Sequence, residues 1–305
     1  SVTEGLTDLL NPLKQLILIL FQQVTFSVDH FLYQAYLTAF LLLYIVFLTV
    51  SACSPPEEQA KATRLAPSGV VSPVEFVAAA NEADEAPARV RLAGVQPPAP
   101  GALAEAAEAR LGALLSRDAS VRLTRAGPGE DRYGRMIAHV ELGEGEDAVW
   151  VQGVMVGEGL LAAASYADTR ERAVELLALE AEARAAGRGG WGSGEFEVLD
   201  PDPNRLAQHL DSRVIVEGRV IDVSPPIRGR VYVNFGLDWR TDFTAVIPRD
   251  ALGLFEETGL EPARLEGAQV RVRGWLYEEN GPMMRIDHPE AVELIDAPEA
   301  RRPGG

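Results

Sequence analysis

The sequence predicts a mostly β fold with appended helices, arranged as two small barrels in tandem after an N-terminal hydrophobic segment. Three observations carry this. Alternating apolar and polar residues, the period of a half-buried strand, recur from about residue 74 to 142 and again from about 213 to 294. Each set of strands is accompanied by segments of helical period. A Pro-rich break, Asp200-Pro201-Asp202-Pro203-Asn204, separates the two sets. The length of 305 residues suits two domains of roughly 150 residues each.

Composition narrows the function classes. The net charge of −17 argues against a general nucleic-acid coat protein, which would carry a basic footprint. The single cysteine, Cys53, excludes an intrachain disulfide. Its setting is informative. An uncharged run of 20 residues, Phe31 to Val50, leads into Val50-Ser51-Ala52-Cys53 and then into Ser54-Pro55-Pro56-Glu57-Glu58-Gln59. This resembles a bacterial lipoprotein signal, in which small residues precede the cysteine that receives lipid. The resemblance implies removal of residues 1–52 and a lipidated Cys53 that holds the chain on a membrane of the bacterial cell envelope. It implies a periplasm-facing protein, with Ser54 favouring the outer membrane over the inner. Two plainer alternatives stand beside it: a membrane-spanning helix, for which an apolar run of about 20 residues suffices, and a lone buried cysteine. The basic opening of such a signal is missing, since the nearest upstream base is Lys14 and the run is flanked by Asp29 and His30. Residues 1–30 read as an extra segment or a misread start. Residues 54–73, rich in Pro, Ser, Glu and Ala, read as a flexible linker.

The first domain is expected over 74–195. Pro73 to Val77 opens a strand, and Asn81 to Glu85 is a polar turn. Arg89 to Val95 alternates, with Val90, Leu92 and Gly94 on one face and Arg89, Arg91 and Ala93 on the other. Pro97, Pro98 and Pro100 stop that strand. Gly101 to Leu115 has helical spacing, Ala119 to Thr124 is a strand, and Gly127-Pro128-Gly129 is a turn. Arg135 to Leu142 is another strand. Val149 to Val156 continues into Gly157-Glu158-Gly159-Leu160. A helix from about Thr169 to Ala186 ends at Gly187, with Trp191 folding back on the sheet.

Four pieces in this order, V-R-L-A-G-V at 90–95, D-R-Y-G-R at 131–135, V-x-x-G-L-L at 156–161 and E-A-E-A-R-A-A-G-R-G-G-W at 180–191, resemble the staphylococcal-nuclease (thermonuclease) domain family. The resemblance covers about residues 74–191. It implies an OB barrel with helices and calcium-dependent hydrolysis of DNA or RNA phosphodiesters. Carried over by position, Arg91 and Arg135 match two arginines that hold the phosphate, and Tyr133 matches an aromatic that touches the nucleotide.

The remaining positions depart from the family. Gln96 stands where the family has a calcium-binding aspartate, and Ala99 where it has the glutamate that activates water. Val77 stands about where a second aspartate would fall. Ca²⁺ takes several hard, mostly anionic oxygens. Loss of a general base typically costs about 10²–10⁴-fold in rate. The expectation is therefore a binding or interaction protein without a cofactor. The alternative is a working nuclease with a shifted metal site, needing Ca²⁺, with Glu82, Asp84 or Glu85 as replacement carboxylates. A structural alternative also stands for the arginines: Arg135 paired with Asp131 or Glu141, and Arg91 on the outer face of a strand. From 89 to 135, eight arginines face five carboxylates, so an anion-binding face is expected there.

A linker at 196–204 is expected to lead to a second domain over 205–297, with a tail at 298–305. Its order runs strand, strand, strand, helix, strand, strand, which is that of an OB barrel. Tyr232, Phe235, Trp239, Phe243, Trp275 and Tyr277 are either base-stacking residues or barrel core and rim. His30, His139, His209 and His288 lack metal-ligand spacing, and no Ser-His-Asp, P-loop or Rossmann string occurs. The expected partners are the membrane through Cys53, a nucleic-acid or phosphate ligand, and an envelope protein.

Overall fold

A computed structural model describes residues 63–79, 87–116 and 120–296. The hydrophobic segment with Cys53, the carboxylates Glu82, Asp84 and Glu85, and the C-terminal tail lie outside the described residues.

The first barrel comprises β1 (Thr63–Leu65), β2 (Pro67–Ser72), β3 (Glu75–Ala78), β4 (Ala88–Leu92), β5 (Val95–Gln96), α1 (Ala102–Leu115), β6 (Val121–Glu130), β7 (Met136–Leu142), β8 (Val149–Trp150), α2 (Val151–Gly157), β9 (Ala162–Ala163), α3 (Ala173–Ala185) and α4 (Gly190–Ser193). Its main sheet runs β1-β6-β7-β4-β3-β2. Only Ala66 separates β1 from β2, so the path returns on itself and closes. β4 and β7 pair in parallel, and the other neighbours are antiparallel.

This corrects the reading of 54–73 as a flexible linker, because residues 63–72 form the closing strand. Leu65 is buried in the core, and pairing with β6 removes an open sheet edge. The sequence signal was weak because β2 carries a Pro and a Gly and alternates poorly. The expected continuation of 149–156 also breaks after Trp150, where the chain turns into α2.

The family-like pieces at 156–161 and 180–191 meet in space. The Gly190 N–H donates to the Gly159 carbonyl at 2.9 Å. Gly159 has φ +72°, and a Cβ there would come within 2.2 Å of the Arg188 carbonyl oxygen. Gly159→Ala is expected to cost upwards of about 2 kcal/mol, from strain at positive φ plus the backbone clash. A thermal melt checks it, and an unchanged midpoint contradicts the contact.

The second barrel comprises β10 (Val198–Leu199), α5 (Pro203–Leu206), β11 (Ser212–Arg219), β12 (Asp222–Val223), β13 (Val231–Asn234), β14 (Thr244–Ile247), α6 (Leu252–Glu257), β15 (Gln269–Glu278), β16 (Pro282–Arg285) and β17 (Val292–Asp296). The sheet order is β10-β11-β15-β16-β14-β13-β12, with β17 on β15. Between β11 and β12, the Val220 and Ile221 N–H groups donate to Ala268 and Asn234, so the first strand again reaches both ends of the sheet. β14 and β16 are the parallel pair. Both barrels thus share one connectivity, with a helix between the third and fourth barrel strands. The 196–204 linker is corrected too: β10 pairs with β11, and Leu199 sits in the second core.

Each barrel wraps its own apolar core, and the seam between them is ionic. Arg273 on β15, 1% exposed, reaches Glu180 on α3 of the first barrel at 2.9 Å and also pairs with Glu293 on β17. Glu180 is fully buried and also accepts the Ala163 N–H at 2.8 Å. Arg271 bonds Glu293 and Glu217, and Arg184 bonds Glu180. Nearby, Arg170 forks onto Glu290 at 2.8 and 2.7 Å.

Burial alone would raise the Glu293 carboxyl, but Arg273, Arg271 and Arg184 outweigh it and hold it below the usual carboxylate range. Burial likewise opposes Arg170 at Glu290, and the net direction is again down. For Asp287 the hydrogen bond from His288 is the leading cause of its lowered value. Groups lowered in the folded state are protonated first in the unfolded chain. Their stabilisation is complete above their unfolded values of about 4 and is lost as pH falls through the folded ones. The melting midpoint is therefore expected to drop on acidification below about pH 4.5. A midpoint flat through that window contradicts the ionic seam.

Candidate functional site

The D-R-Y-G-R segment forms a self-closed turn at the start of β7. The Asp131 carboxylate accepts the Tyr133 and Arg135 N–H groups at 2.9 and 3.1 Å. Gly134, at φ +70°, supplies the left-handed step. This fixes Arg135, whose Nε bonds Asp131 at 2.7 Å and whose Nη1 bonds Glu75 at 2.9 Å. Burial would lower Arg135, but these carboxylates raise it. Burial would raise Asp131, and the Arg135 and backbone hydrogen bonds bring it down.

Glu75 was not singled out in the sequence. It lies on β3 directly across from Arg91 on β4, is 4% exposed, and bridges Arg89 and Arg135. Its signal was an acid on the outward face of an alternating strand, in register with an arginine. Val77, the position aligned with the family aspartate, is across from Arg89 instead. Arg135 does not pair with Glu141, which is taken by Arg122 and Arg172.

Arg91 is bonded differently. Its guanidinium donates to backbone carbonyls: Val95 at 3.1 Å, Val74 at 3.4 Å and Leu92 at 3.5 Å. Among the described residues it has no carboxylate ion pair. Burial lowers its pKa, and nearby Arg135 contributes in the same direction. Tyr166, Glu75 and Asp131 act in the opposite direction without outweighing burial, so Arg91 is a largely buried cation whose direct partners are neutral carbonyl oxygens. Arg91, Arg132, Tyr133 and Arg135 line one recess of about 580 Å³, with Tyr166 and Asp168 on its rim. Tyr133 is 64% exposed, and Arg132 and Arg135 sit 5.0 and 5.2 Å from its ring centre. The structure therefore brings Arg91, Arg135 and Tyr133 together.

Gln96 and Ala99 are not among the residues that line this recess, although Arg91 bonds the carbonyl of Val95 next to Gln96. Gln96 and Ala99 both line a different recess, beside Trp191, Phe196 and Arg213. Among the described residues no three His, Cys, Asp or Glu side chains cluster for a metal. Glu75 is committed to arginines, and Asp131 to Arg135 and the turn backbone. The described donor set does not fit a Ca²⁺ site.

Of the other sequence candidates, Phe235 and Phe243 are core, with ring centres 4.9 Å apart, whereas Trp239 and Trp275 are exposed. Trp191 packs against Phe196 in a tilted pair, with ring centres 5.3 Å apart. His288, one of the histidines without metal-ligand spacing, has another use: its Nε2 meets Ser165 Oγ at 2.8 Å and its Nδ1 meets Asp287 at 2.8 Å. Ser165 and His288 are both buried at the seam, so this relay ties the barrels together.

Residues 89–193 match the family model described as staphylococcal nuclease homologue. That stretch is a staphylococcal-nuclease-like domain, and the match supports the β-barrel fold. It begins at β4, so β1 to β3, including Glu75, precede it. No curated protein matches the chain.

Proposed function

We infer that the chain is a membrane-tethered, staphylococcal-nuclease-like protein of the bacterial cell envelope that binds a phosphate-bearing ligand without hydrolysing it. The carrying observation is Arg91, a half-buried guanidinium held by carbonyl oxygens and facing a recess shared with Arg135 and Tyr133. A phosphate would give this guanidinium the direct anionic partner that its carbonyl contacts do not, in the planar geometry that suits it. The exposed Tyr133 ring offers a stacking surface for a base, which favours single-stranded nucleic acid. Hydrolysis would also need a group that deprotonates water, and an arginine does not do so near neutral pH. Tethering rests on Cys53 and the apolar run before it.

The second reading is an active nuclease with a shifted metal site. The shared recess of Arg91, Arg135 and Tyr133 favours it. Incubation of the full chain with single-stranded DNA and RNA, with Ca²⁺ or with chelator, separates the two. Binding with intact oligonucleotide is expected. Metal-dependent cleavage abolished by Arg135→Ala would establish the second reading instead. Cys53→Ser is expected to release the chain from the membrane fraction, and unchanged fractionation contradicts the lipid anchor.

A further inference from the structure

The second barrel carries a recess that the phosphate reading does not use. It has a volume of about 390 Å³, within the range of small-molecule sites, roughly 300–1,000 Å³. Its floor is a polar row across three adjacent strands. Asp222, Asn234 and Thr244 occupy paired positions on β12, β13 and β14. Thr244 Oγ1 donates to Asn234 Oδ1 at 3.1 Å, and Asn234 Nδ2 donates to Asp222 at 3.1 Å. The row is thereby fixed before any ligand arrives. Glu279 and Asn280, from the β15–β16 turn, add a carboxylate and an amide. Trp239 forms a wall, 51% exposed, with Arg240 stacked on its ring at 4.2 Å.

No arginine or lysine is among the lining residues. The two carboxylates Asp222 and Glu279 line the recess, while the cation Arg240 is stacked on Trp239 outside the lining set, so a phosphate backbone is the less favoured occupant. A simple organic cation would satisfy the carboxylates but make no use of the Asn280 amide or of the second Asn234 amide hydrogen, the first being given to Asp222. A neutral polyhydroxylated ring meets all of these groups. Its hydroxyls donate to the carboxylates and accept from the amides, and its C–H face lies on the indole. We propose that this recess binds a neutral saccharide, with Trp239 against a pyranose face and Asp222 and Asn234 on its hydroxyls.

Calorimetric titration of the full chain with cellobiose, maltose and N,N′-diacetylchitobiose tests this. Saturable binding of at least one disaccharide is expected, weakened about tenfold or more by Trp239→Ala. Asn234→Ala should weaken it as well, and Arg91→Ala should leave it unchanged. Trp239 is half exposed, so its variant should melt like the parent, which separates lost binding from lost folding. The proposal is overturned if none of the three disaccharides binds, or if binding survives both recess variants. It is also overturned if tetramethylammonium or an octathymidylate takes the recess in their place, with binding lost on Trp239→Ala.

Discussion

Arg273→Ala is expected to lower the folding stability of the chain by about 3–5 kcal/mol, the range for removing one partner of a buried ion pair. The guanidinium it deletes is almost wholly buried and answers two carboxylates, Glu180 from the first barrel and Glu293 from the second. Burial lowers the Arg273 pKa, but Glu180 and Glu293 outweigh it and the net shift is up. Without it, Glu180 keeps Arg184 at 3.3 Å and the Ala163 N–H, but a full charge remains in the seam with less compensation. Replacing both partners with apolar residues, Arg273→Met with Glu180→Leu, is expected to recover part of the loss: the uncompensated Glu180 charge is gone, while the Ala163 N–H loses its acceptor and Arg184 keeps Glu293 at 3.8 Å. Denaturant unfolding of the single and the double variant beside the parent measures this. A single-variant loss below about 1 kcal/mol would match a solvent-exposed pair and contradict a buried seam.

Glu75→Gln is expected to move binding and stability in opposite directions. The wild-type carboxylate neutralises Arg89 and Arg135 beside the recess. Its amide counterpart leaves both guanidiniums in place and removes one negative charge. Affinity for a single-stranded oligonucleotide should rise several-fold, roughly what one added phosphate contact supplies, with a salt dependence steeper by about 0.7. Stability should fall by about 1–3 kcal/mol, because a buried charged partner has been removed. Weaker binding in this variant would mean that Glu75 holds Arg135 in its working position rather than competing for it.

The sequence made the barrel strands legible where alternation was strong, as in Arg213–Arg219 or Met136–Leu142. It hid β1 and β2, because a closing strand with Pro67 and Gly69 carries little apolar period. Its pairing is set by β6 and β3, far away in the chain. The arginines of the site were legible through the family-like motifs, and they do share one recess. The charge that balances them was not. Glu75 lies before the motif stretch, and its role depends on a register that only the folded sheet defines. The seam was equally hidden: Arg273, Glu180 and Glu293 look like ordinary surface charges on amphipathic elements until the two barrels meet.

The central claim is that Arg91 anchors a phosphate that the protein holds and does not cut. Equilibrium binding of a fluorescent single-stranded oligonucleotide over a range of salt, in the presence of Ca²⁺ and with the oligonucleotide recovered afterwards, tests it most directly. The account predicts saturable binding with a log–log salt slope near −1.4, about 0.7 for each of two phosphate contacts, and an oligonucleotide recovered intact. It predicts about tenfold weaker binding and a shallower slope for Arg91→Ala. An Arg91→Ala variant that folds and binds like the wild type, or an oligonucleotide recovered as fragments, would contradict it.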